Sequence, residues 1–404
     1  MPNLLFVAGD LSGDIHAAML ARRVLERHPA WKIYALGGSH LREAGAHLIG
    51  DTSGCSVIGL VSSLQLVPRV LKLRRRVLEF LSGEHVDAAV LCDWGAFNGR
   101  LLPQLHAANI PVLYYFPPRS WQRSGQRGLG IVPFVSRVAT PFEWSAQRLN
   151  EAGCRAEWVG HPLLETVQLL PQDSPQRLAL RREFGAPDDA KLVALLPGSR
   201  ALELRYIAPA VAGAVSLLRR NFSNLHFIAA APRGAASSTR QEFSNDVSIV
   251  EGRAAQLLSA CDAAIVKSGT STLEAAVADA PQVVVYDGPK VMRLQAHIMG
   301  IHKRVPFVAM PNIIVQRRIV PELLGEDCTP ANIAREVSLL LEAGESSTRM
   351  RTDYALVRRA LGHDLPLGAT QRTAEILDAM LEDADAARCG ASRAGAGQAA
   401  GETS

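Results

Sequence analysis

Short apolar runs alternate with amphipathic stretches through the first part of the chain. Four of these runs have the length and composition of buried β-strands: Leu4–Ala8, Ile33–Leu36, Ala88–Cys92 and Val112–Phe116. The segments between them carry apolar positions at helical spacing. This alternation predicts βαβ units around a parallel sheet.

A second series of apolar runs follows the polar stretch Pro171–Pro175, and it comprises Leu192–Leu196, His226–Ala230, Ala263–Val266 and Val283–Tyr286. We therefore predict an α/β protein with two Rossmann-like parallel-sheet domains, residues 1–168 and 169–342. Residues 343–382 have a helical pattern, and the Ala-, Gly- and Ser-rich residues 383–404 are expected to be disordered. Ligands bind such sheets at the carboxyl ends of the strands, so the active site is expected in a cleft between two facing domains.

Composition, net charge and cysteine spacing limit the classes of protein to which the chain can belong. The 404 residues are 48% apolar, enough for two cores, and the net charge of +4 is too balanced to indicate nucleic-acid binding. Six scattered cysteines with no CxxC pair indicate neither a disulfide framework nor a zinc site. The N-terminus has the pattern of a strand rather than a signal peptide, and no run of about 18 apolar residues occurs. We expect a cytoplasmic protein that binds no nucleic acid.

Three predicted strand-to-helix turns could hold an anion on free backbone N–H groups. The turn Gly9–Asp14 is compatible with this role and equally with a generic tight turn. The turn Leu196–Arg200 combines a glycine, a hydroxyl and a guanidinium suited to phosphate, although Arg200 could instead form a surface ion pair. The turn Lys267–Thr272 suits a diphosphate, with Glu274 placed to accept ribose hydroxyls; simple helix capping is the alternative.

Two further side chains are candidates for acid–base chemistry. Asp93 directly follows the strand Ala88–Cys92, at the mouth of the first sheet, where a general base could deprotonate a sugar hydroxyl. Capping of the next helix is the alternative interpretation for Asp93. His161, in Gly160-His-Pro162, lies at the predicted domain junction and either faces the cleft or is a structural histidine.

The segment Ile58–Leu81 combines apolar positions with a cluster of cations. The apolar positions are Val67, Val70, Leu71, Leu73 and Val77, and the cations are Arg69, Lys72, Arg74, Arg75 and Arg76. Such a segment could lie on anionic lipid as a peripheral membrane attachment. The alternative is an ordinary helix packed on its own sheet.

Several short motifs occur in the order found in one known family. They are Val7–Asp14, Ile58–Val61, Asp93 with Phe97-Asn98, Gly160–Pro162, Leu195–Arg200, Ser268–Thr270 with Leu273-Glu274, Pro311-Asn312 and Val320–Leu324. The ordered set resembles the lipid-A-disaccharide synthase family. That resemblance implies a GT-B glycosyltransferase, a hexosyltransferase that transfers 2,3-diacylglucosamine from UDP to 2,3-diacylglucosamine 1-phosphate. The β-1,6 linkage would form with inversion and UDP would leave.

The resemblance also implies roles for particular residues. Its catalytic candidates are Asp93 as base, Arg200 and Asp10. Its UDP-binding candidates, all in the second domain, are Gly198, Ser199, Arg200, Ser268, Gly269, Thr270, Glu274, Asn312 and Arg317. Its acceptor-side candidates, all in the first domain, are Ser12, Gly13, Asn98, Trp121 and His161.

The family resemblance further implies what the protein binds and where it works. The UDP-sugar is a substrate, so no cofactor and no metal are expected. The expected partners are the UDP-linked donor, the acylated acceptor and the inner face of a bacterial inner membrane, with a homodimer left open.

Some positions depart from the family's pattern. Asp93–Asn98 lacks a second acid found there, Tyr286-Asp287 replaces a Tyr-Arg pair, and Lys267 stands where a small residue is usual and could replace the lost cation. Two alternatives follow: another UDP-sugar enzyme, such as an epimerase or a transferase with a different acceptor, and a catalytically silent UDP-sugar-binding protein.

Overall fold

The strands of the described residues fall into two separate parallel sheets. The computed structural model describes residues 1–55, 60–118, 126–289, 306–342 and 344–401. One compact unit comprises Met1–Pro162 with Asp364–Ser404, and the other comprises Leu163–His363. Two parallel-sheet α/β domains confirm the predicted fold class.

The first unit contains a seven-stranded sheet. Its strands are β1 (Asn3–Ala8), β2 (Lys32–Gly37), β3 (His47–Asp51), β4 (Ala88–Cys92), β5 (Val112–Tyr115), β6 (Arg137–Thr140) and β7 (Ala156–Trp158). The order is β3-β2-β1-β4-β5-β6-β7, and every neighbouring pair is parallel. The helices of this part of the chain are α1 (Leu11–Arg27), α2 (Ser39–Glu43), α3 (Leu60–Gly83), α4 (Gly95–Ala107) and α5 (Glu143–Glu151), with a 3-10 helix at Gln126–Phe134.

The second unit contains a six-stranded sheet. Its strands are β8 (Lys191–Leu196), β9 (Leu225–Ala231), β10 (Ser248–Glu251), β11 (Ala263–Lys267), β12 (Gln282–Tyr286) and β13 (Glu322–Leu324). The order is β10-β9-β8-β11-β12-β13, again parallel throughout.

Helices follow most strands of the second unit, as βαβ connections require. Those before β11 are α6 (Leu163–Thr166), α7 (Pro175–Glu183), α8 (Ala201–Asn221), α9 (Ala236–Gln241) and α10 (Ala254–Ala260). Those after it are α11 (Thr270–Val277), α12 (Met310–Val315), a 3-10 helix at Gly325–Asp327, α13 (Pro330–Leu341) and α14 (Glu345–Ala360). Helix α15 (Ala369–Gly401) completes the chain.

Local sequence signals explain where several helices begin. The Ser174 side chain accepts a hydrogen bond from the Arg177 backbone N–H, and Pro175 occupies the first turn of α7. Thr329 caps α13 in the same way, with Pro330 following it. All eight predicted strands are confirmed, because their apolar runs coincide with buried central strands.

The short strands β3, β6, β7, β10 and β13 were not predicted. They have between three and five residues, and each includes polar residues that leave no run of four apolar residues.

In each sheet, the first three strands in chain order follow one another in one direction across the sheet, and the later strands are added in the opposite direction. In the first sheet the reversal lies between β1 and β4, where Ala8 pairs with Cys92. In the second it lies between β8 and β11, where Leu196 pairs with Val266. Ligands bind open α/β sheets beyond the carboxyl ends of the strands at such a reversal. The residues following these four strand ends are therefore the first candidates for a site in each unit.

The last helix, α15, returns to the first unit. Its apolar face joins the core cluster on one side of the first sheet, and the contributing residues are Ala369, Ala374, Ile376, Leu377, Met380 and Leu381. The predicted separate helical segment 343–382 is thus divided between the two units. The division earlier in the chain lies between Pro162 and Leu163, whereas the sequence predicts it between 168 and 169.

The predicted disorder of residues 383–404 differs from the structure, in which α15 continues to Gly401. The physical reason is composition, since the alanines that lack a core-forming pattern have the highest intrinsic helix propensity. Residues 402–404 lie outside the described part of the chain.

One helix of the described residues, α8, is long and apolar enough to cross a membrane by length and composition. The sequence predicts no such segment. Leu204, Ile207, Val211 and Leu218 of α8 are buried inside the second unit. This is the pattern of a core helix in a globular domain.

Candidate active site

Asp93 lies immediately after β4, at the reversal point of the first sheet. Its backbone is left-handed, with φ of +46°, and Trp94 follows at +41°. The Asn98 side-chain amide donates to the Asp93 carbonyl oxygen at 2.8 Å, and the Tyr114 hydroxyl donates to the same oxygen. A strained non-glycine backbone held by such contacts is typical of functional positions. The first capping position of α4 belongs to Trp94, with no side-chain cap, so the helix-cap alternative for Asp93 is wrong.

The environment of the Asp93 carboxyl group disfavours its charged form. Asp93 as a whole residue is exposed to solvent. Neighbouring protein atoms nevertheless limit the hydration of its carboxyl group, and this desolvation raises the pKa of the carboxyl to about 6. The charge of Asp10 acts in the same direction, while the Trp94 N–H acts against it. A carboxyl that ionises near neutral pH suits a general base.

Asp10 belongs to the turn that follows β1. Its carboxylate accepts a hydrogen bond from the Gly13 N–H at 2.7 Å and caps α1, and the Ser12 hydroxyl lies 3.4 Å from it. Gly9 lies under the Trp94 indole, because a Cβ at Gly9 would come within 2.0 Å of the ring. The turn therefore fixes Asp10 and Trp94 around Asp93, while the N–H of Gly13 is used internally rather than offered to a ligand.

Two of the predicted acceptor-side residues, Asn98 and His161, are buried inside the first unit. Asn98 is fully buried, and its amide holds the Asp93 backbone. His161 is buried among aromatic rings, with ring centroids 5.3 Å from both Phe116 and His16. Burial lowers the pKa of His161 well below its usual value, so the imidazole is neutral. These contacts favour the structural interpretation of His161. Trp121 lies outside the described residues.

A cavity of about 170 Å³ lies beside Asp93 in the first unit, at the carboxyl ends of β5 and β6. Its walls are Asp93, Phe116, Pro117, Pro118, Thr140, Pro141, Phe142, Trp144 and Ser145. Apart from Asp93, the sequence-based candidates include none of these residues. The rule that sites lie beyond strand ends could have found them, but the sequence of β6, Arg-Val-Ala-Thr, has no continuous apolar run by which to recognise the strand.

In the second unit, the turn after β8 is organised by a buried carboxylate. Glu203 accepts hydrogen bonds from the backbone N–H groups of Ser199 at 2.9 Å and Arg200 at 3.3 Å, and its carboxylate lies 2.8 Å from Lys267 Nζ. Burial alone would raise the pKa of Glu203, but Lys267 and the two N–H groups outweigh it and lower the pKa. Gly198 has φ of +133°, and a Cβ there would clash with Glu203 at 2.6 Å.

This arrangement corrects part of the predicted phosphate site. The backbone N–H groups of Ser199 and Arg200 are already occupied by Glu203, and Lys267 is paired with the same carboxylate. The Arg200 side chain is 44% exposed and 3.6 Å from Glu203, so its guanidinium forms the ion pair of the alternative interpretation and keeps an accessible face. Arg200 is consequently more exposed than the Lys267 side chain, which is 20% exposed.

The turn after β11 lies beside the first one at the sheet reversal. Gly269, with φ of +148°, precedes the first residue of α11, Thr270, which is exposed. The Ser268 hydroxyl donates to the Val308 carbonyl at 3.1 Å and is thereby occupied. Burial raises the pKa of the Glu274 carboxyl. Burial is the only cause of this shift, so no neighbouring charge or side-chain hydrogen bond of the described residues offsets it.

Asn312 and Arg317, which are expected to flank the nucleotide, both have hydrogen-bond partners within the second unit. The Asn312 side chain is fully buried; its Nδ2 donates to Val320 and Glu322, and its Oδ1 accepts from Ile319 and Val320. All its hydrogen-bonding capacity is used to hold one loop.

The guanidinium of Arg317 pairs with Asp353, with Nη1 donating at 3.1 Å. In the described part of the chain no group of three or more His, Cys, Asp or Glu residues could hold a metal ion.

Comparison with known proteins identifies relatives along nearly the whole chain. The family model for lipid-A-disaccharide synthetase matches residues 4–369. The lipid-A-disaccharide synthase of Myxococcus xanthus (strain DK1622) is 34% identical over 379 residues, which cover 93% of this chain and 96% of that protein.

Solved structures with the same fold include two UDP-sugar enzymes. The UDP-GlcNAc 2-epimerase of Neisseria meningitidis bound to UDP-GlcNAc matches with a TM-score of 0.58 and 13% identity, covering 94% of this chain and 100% of that one. The Phytolacca americana UGT2, complexed with UDP-2fluoro-glucose and pterostilbene, matches with a TM-score of 0.57 and 12% identity, covering 95% and 100%. At such identity the likeness shows the GT-B fold alone.

Proposed function

The chain belongs to the lipid-A-disaccharide synthase family, and from this premise we propose that it makes the lipid A disaccharide. The donor is UDP-2,3-diacylglucosamine and the acceptor is 2,3-diacylglucosamine 1-phosphate. The products are the β-1,6-linked disaccharide and UDP. The UDP-sugar is a substrate, so the proposal requires no cofactor.

One observation supports the proposal above all others: Asp93, at the reversal point of the first sheet, has a carboxyl pKa raised to about 6 and lines a cavity. In the proposed step, ionised Asp93 takes the proton from the acceptor's 6-hydroxyl. The hydroxyl oxygen forms a bond to the donor's anomeric carbon while the bond from that carbon to the diphosphate oxygen breaks. A single displacement inverts the configuration, and the electron pair leaves with UDP.

Residues of the second unit would receive the leaving group. Arg200 has an accessible guanidinium that can stabilise the charge developing on the diphosphate. Thr270 opens α11 with an exposed hydroxyl, and Glu274 is a carboxylate suited to ribose hydroxyls. Glu203 and Asn312 would position the loops that carry these groups, and Asp10 would keep Asp93 basic.

We further infer that the acylated substrates are met at a membrane surface, through helix α3. Two of the predicted apolar positions, Leu73 and Val77, are buried in the unit's own core and cannot contact lipid, and Val70 is partly buried there. Val67 and Leu71, however, are 47% and 51% exposed. Ile58 lies outside the described residues.

The exposed side of α3 also carries the cations Arg69, Lys72, Arg75 and Arg76. Exposed apolar side chains among cations are the composition of a surface that binds anionic lipid. The inner face of the inner membrane, where the family's substrates would be used, is the proposed location. A homodimer stays a prediction.

The proposed function is tested by incubating the purified protein with donor and acceptor together and analysing the products by mass. We expect equimolar UDP and disaccharide, formed only when both substrates are present. Conversion of a UDP-sugar to its epimer without acceptor would identify an epimerase. UDP binding by calorimetry without turnover of any acylated glucosamine would identify a silent binding protein. Either result would overturn the proposal.

A further inference from the structure

The cavity beside Asp93 is small for the substrates of the proposed reaction. Its volume of about 170 Å³ is below the range of roughly 300–1,000 Å³ that encloses a whole drug-sized ligand. It can therefore take only one part of an acylated sugar. If Asp93 removes a proton from a hydroxyl of the acceptor, the part nearest Asp93 is the ring that carries this hydroxyl.

Ser145 provides this cavity with a hydroxyl that has no partner among the described residues. The residue is 1% exposed, and its Oγ has no hydrogen bond to any described residue. A buried hydroxyl left unpaired is costly, and native proteins leave few such groups unless a water or ligand completes them. Because Ser145 lines the cavity with Asp93, a ligand in the cavity could make this hydrogen bond.

Trp144 provides an apolar surface at the same cavity. Its indole is 43% exposed, although most large apolar side chains of this unit are buried. The Phe142 ring lies 5.9 Å away and nearly parallel, at 18°, which orients the indole. A flat indole offers a large rigid apolar surface, and one face of a pyranose ring presents only C–H groups.

We propose that the Trp144 indole and the Ser145 hydroxyl bind the sugar ring of the acceptor in this cavity and present its attacking hydroxyl to Asp93. Trp144 packs against the C–H face of the ring, and Ser145 exchanges a hydrogen bond with one of its polar substituents. This assignment rests on the proposed transferase activity. It makes both residues determinants of acceptor specificity, whereas the UDP-sugar is bound by other groups.

The test uses the full-length variants Trp144→Ala, Trp144→Phe and Ser145→Ala, with Gln147→Ala as a control exposed on the same helix. We expect the acceptor KM to rise about tenfold in Trp144→Ala, less in Trp144→Phe, and about five- to tenfold in Ser145→Ala. The donor KM should be unchanged in all variants, and the acceptor KM should be unchanged in the control Gln147→Ala. Since the Ser145 hydroxyl has no hydrogen bond to a described residue, Ser145→Ala should unfold at the parent temperature or above it.

Binding of the acceptor to each protein, measured by calorimetry with short-chain and long-chain acyl acceptors, separates the possible outcomes. A ring-binding cavity loses affinity by the same factor for both acceptors. Loss for the long-chain acceptor alone would mean that the cavity holds an acyl chain, and unchanged affinity would mean that it holds neither; both results overturn the assignment. Failure of the parent protein to transfer sugar would instead refute the proposed function, while the calorimetry still decides the cavity.

Discussion

Asp93 carries a carboxyl group that ionises close to neutral pH. Desolvation is the main cause of its pKa of about 6, and the charge of Asp10 adds to it. Because a general base works only in its ionised form, we expect kcat/KM to rise as pH increases through about 6 and then level off. Asp93→Asn should lower turnover on the order of 10²- to 10⁴-fold with UDP affinity unchanged. A parent-like rate in this variant would show that Asp93 is not the base.

The same pKa has a consequence for stability. A carboxyl whose pKa is raised from 3.8 in the unfolded chain to about 6 in the folded protein disfavours folding once it is ionised. The cost is absent below the unfolded pKa, grows between the two values and is complete above about pH 6. Asp93→Asn should therefore melt above the parent at about pH 8, with the difference vanishing near pH 4.

Asp188→Asn is the control for this melting experiment, since the side-chain hydrogen bond and charge of Arg182 lower the pKa of Asp188. It should not melt above the parent at about pH 8. An Asp93→Asn variant whose melting difference does not depend on pH would contradict the interpretation.

Among single elements, α8 is joined to the turn before it by the contacts of one side chain. Glu203 in the first turn of α8 holds the backbone of Ser199 and Arg200 and pairs with Lys267 at the end of β11. Removing one member of a mostly buried ion pair costs about 3–5 kcal/mol when the other charge stays buried; Lys267 is 20% exposed, so we expect about 2 kcal/mol for Glu203→Gln. UDP affinity should fall with it, because Arg200 loses its support.

The matched control is Glu79→Gln, which breaks only the exposed Arg75–Glu79 pair and should cost less than about 0.5 kcal/mol. Chemical denaturation and UDP calorimetry measure both effects. Equal stability of the two variants would show that Glu203 does not organise the turn.

Helix α3 is the element whose role in membrane binding can be tested separately. Replacing Arg75 and Arg76 with Glu leaves the buried residues Leu73 and Val77 untouched, so folding should be preserved. We expect sedimentation with anionic vesicles to be lost and sedimentation with neutral vesicles to stay low. Arg335→Glu in the second unit is the control, because Arg335 is paired with a neighbouring glutamate, Glu336, as Arg75 is paired with Glu79. Unchanged sedimentation of the α3 variant would refute attachment through this face.

In the whole molecule, the last helix of the chain belongs to the same unit as the first strand. Helix α15 packs on the core of the first unit, and Leu377 in it is completely buried. Leu377→Ala should destabilise the first unit by about 2–5 kcal/mol through lost burial and the cavity left behind. Leu367→Ala, at a position 46% exposed, is the control and should change stability little. Calorimetric scans in which both variants unfold like the parent would show that α15 does not contribute to the core.

Eight of the thirteen strands follow from the sequence alone, because a buried central strand of a parallel sheet requires a continuous apolar run. Asp93 and the turns after β1, β8 and β11 were found for the same reason, since each directly follows such a run. The sequence could not decide which polar groups remain available to a ligand. That depends on partners brought together by folding: Glu203 with the N–H groups of Ser199 and Arg200, and Asn312 with the loop around Val320.

Tertiary structure alone also decided where the C-terminal helix packs and which residues surround Asp93. An amphipathic helix such as α15 specifies that one face is buried but not the surface that buries it. Phe116 and Trp144 line the Asp93 cavity because β5 lies next to β4 in the sheet and β6 lies next to β5. Periodicity along a chain encodes local burial, whereas the pairing of distant groups follows from packing in three dimensions.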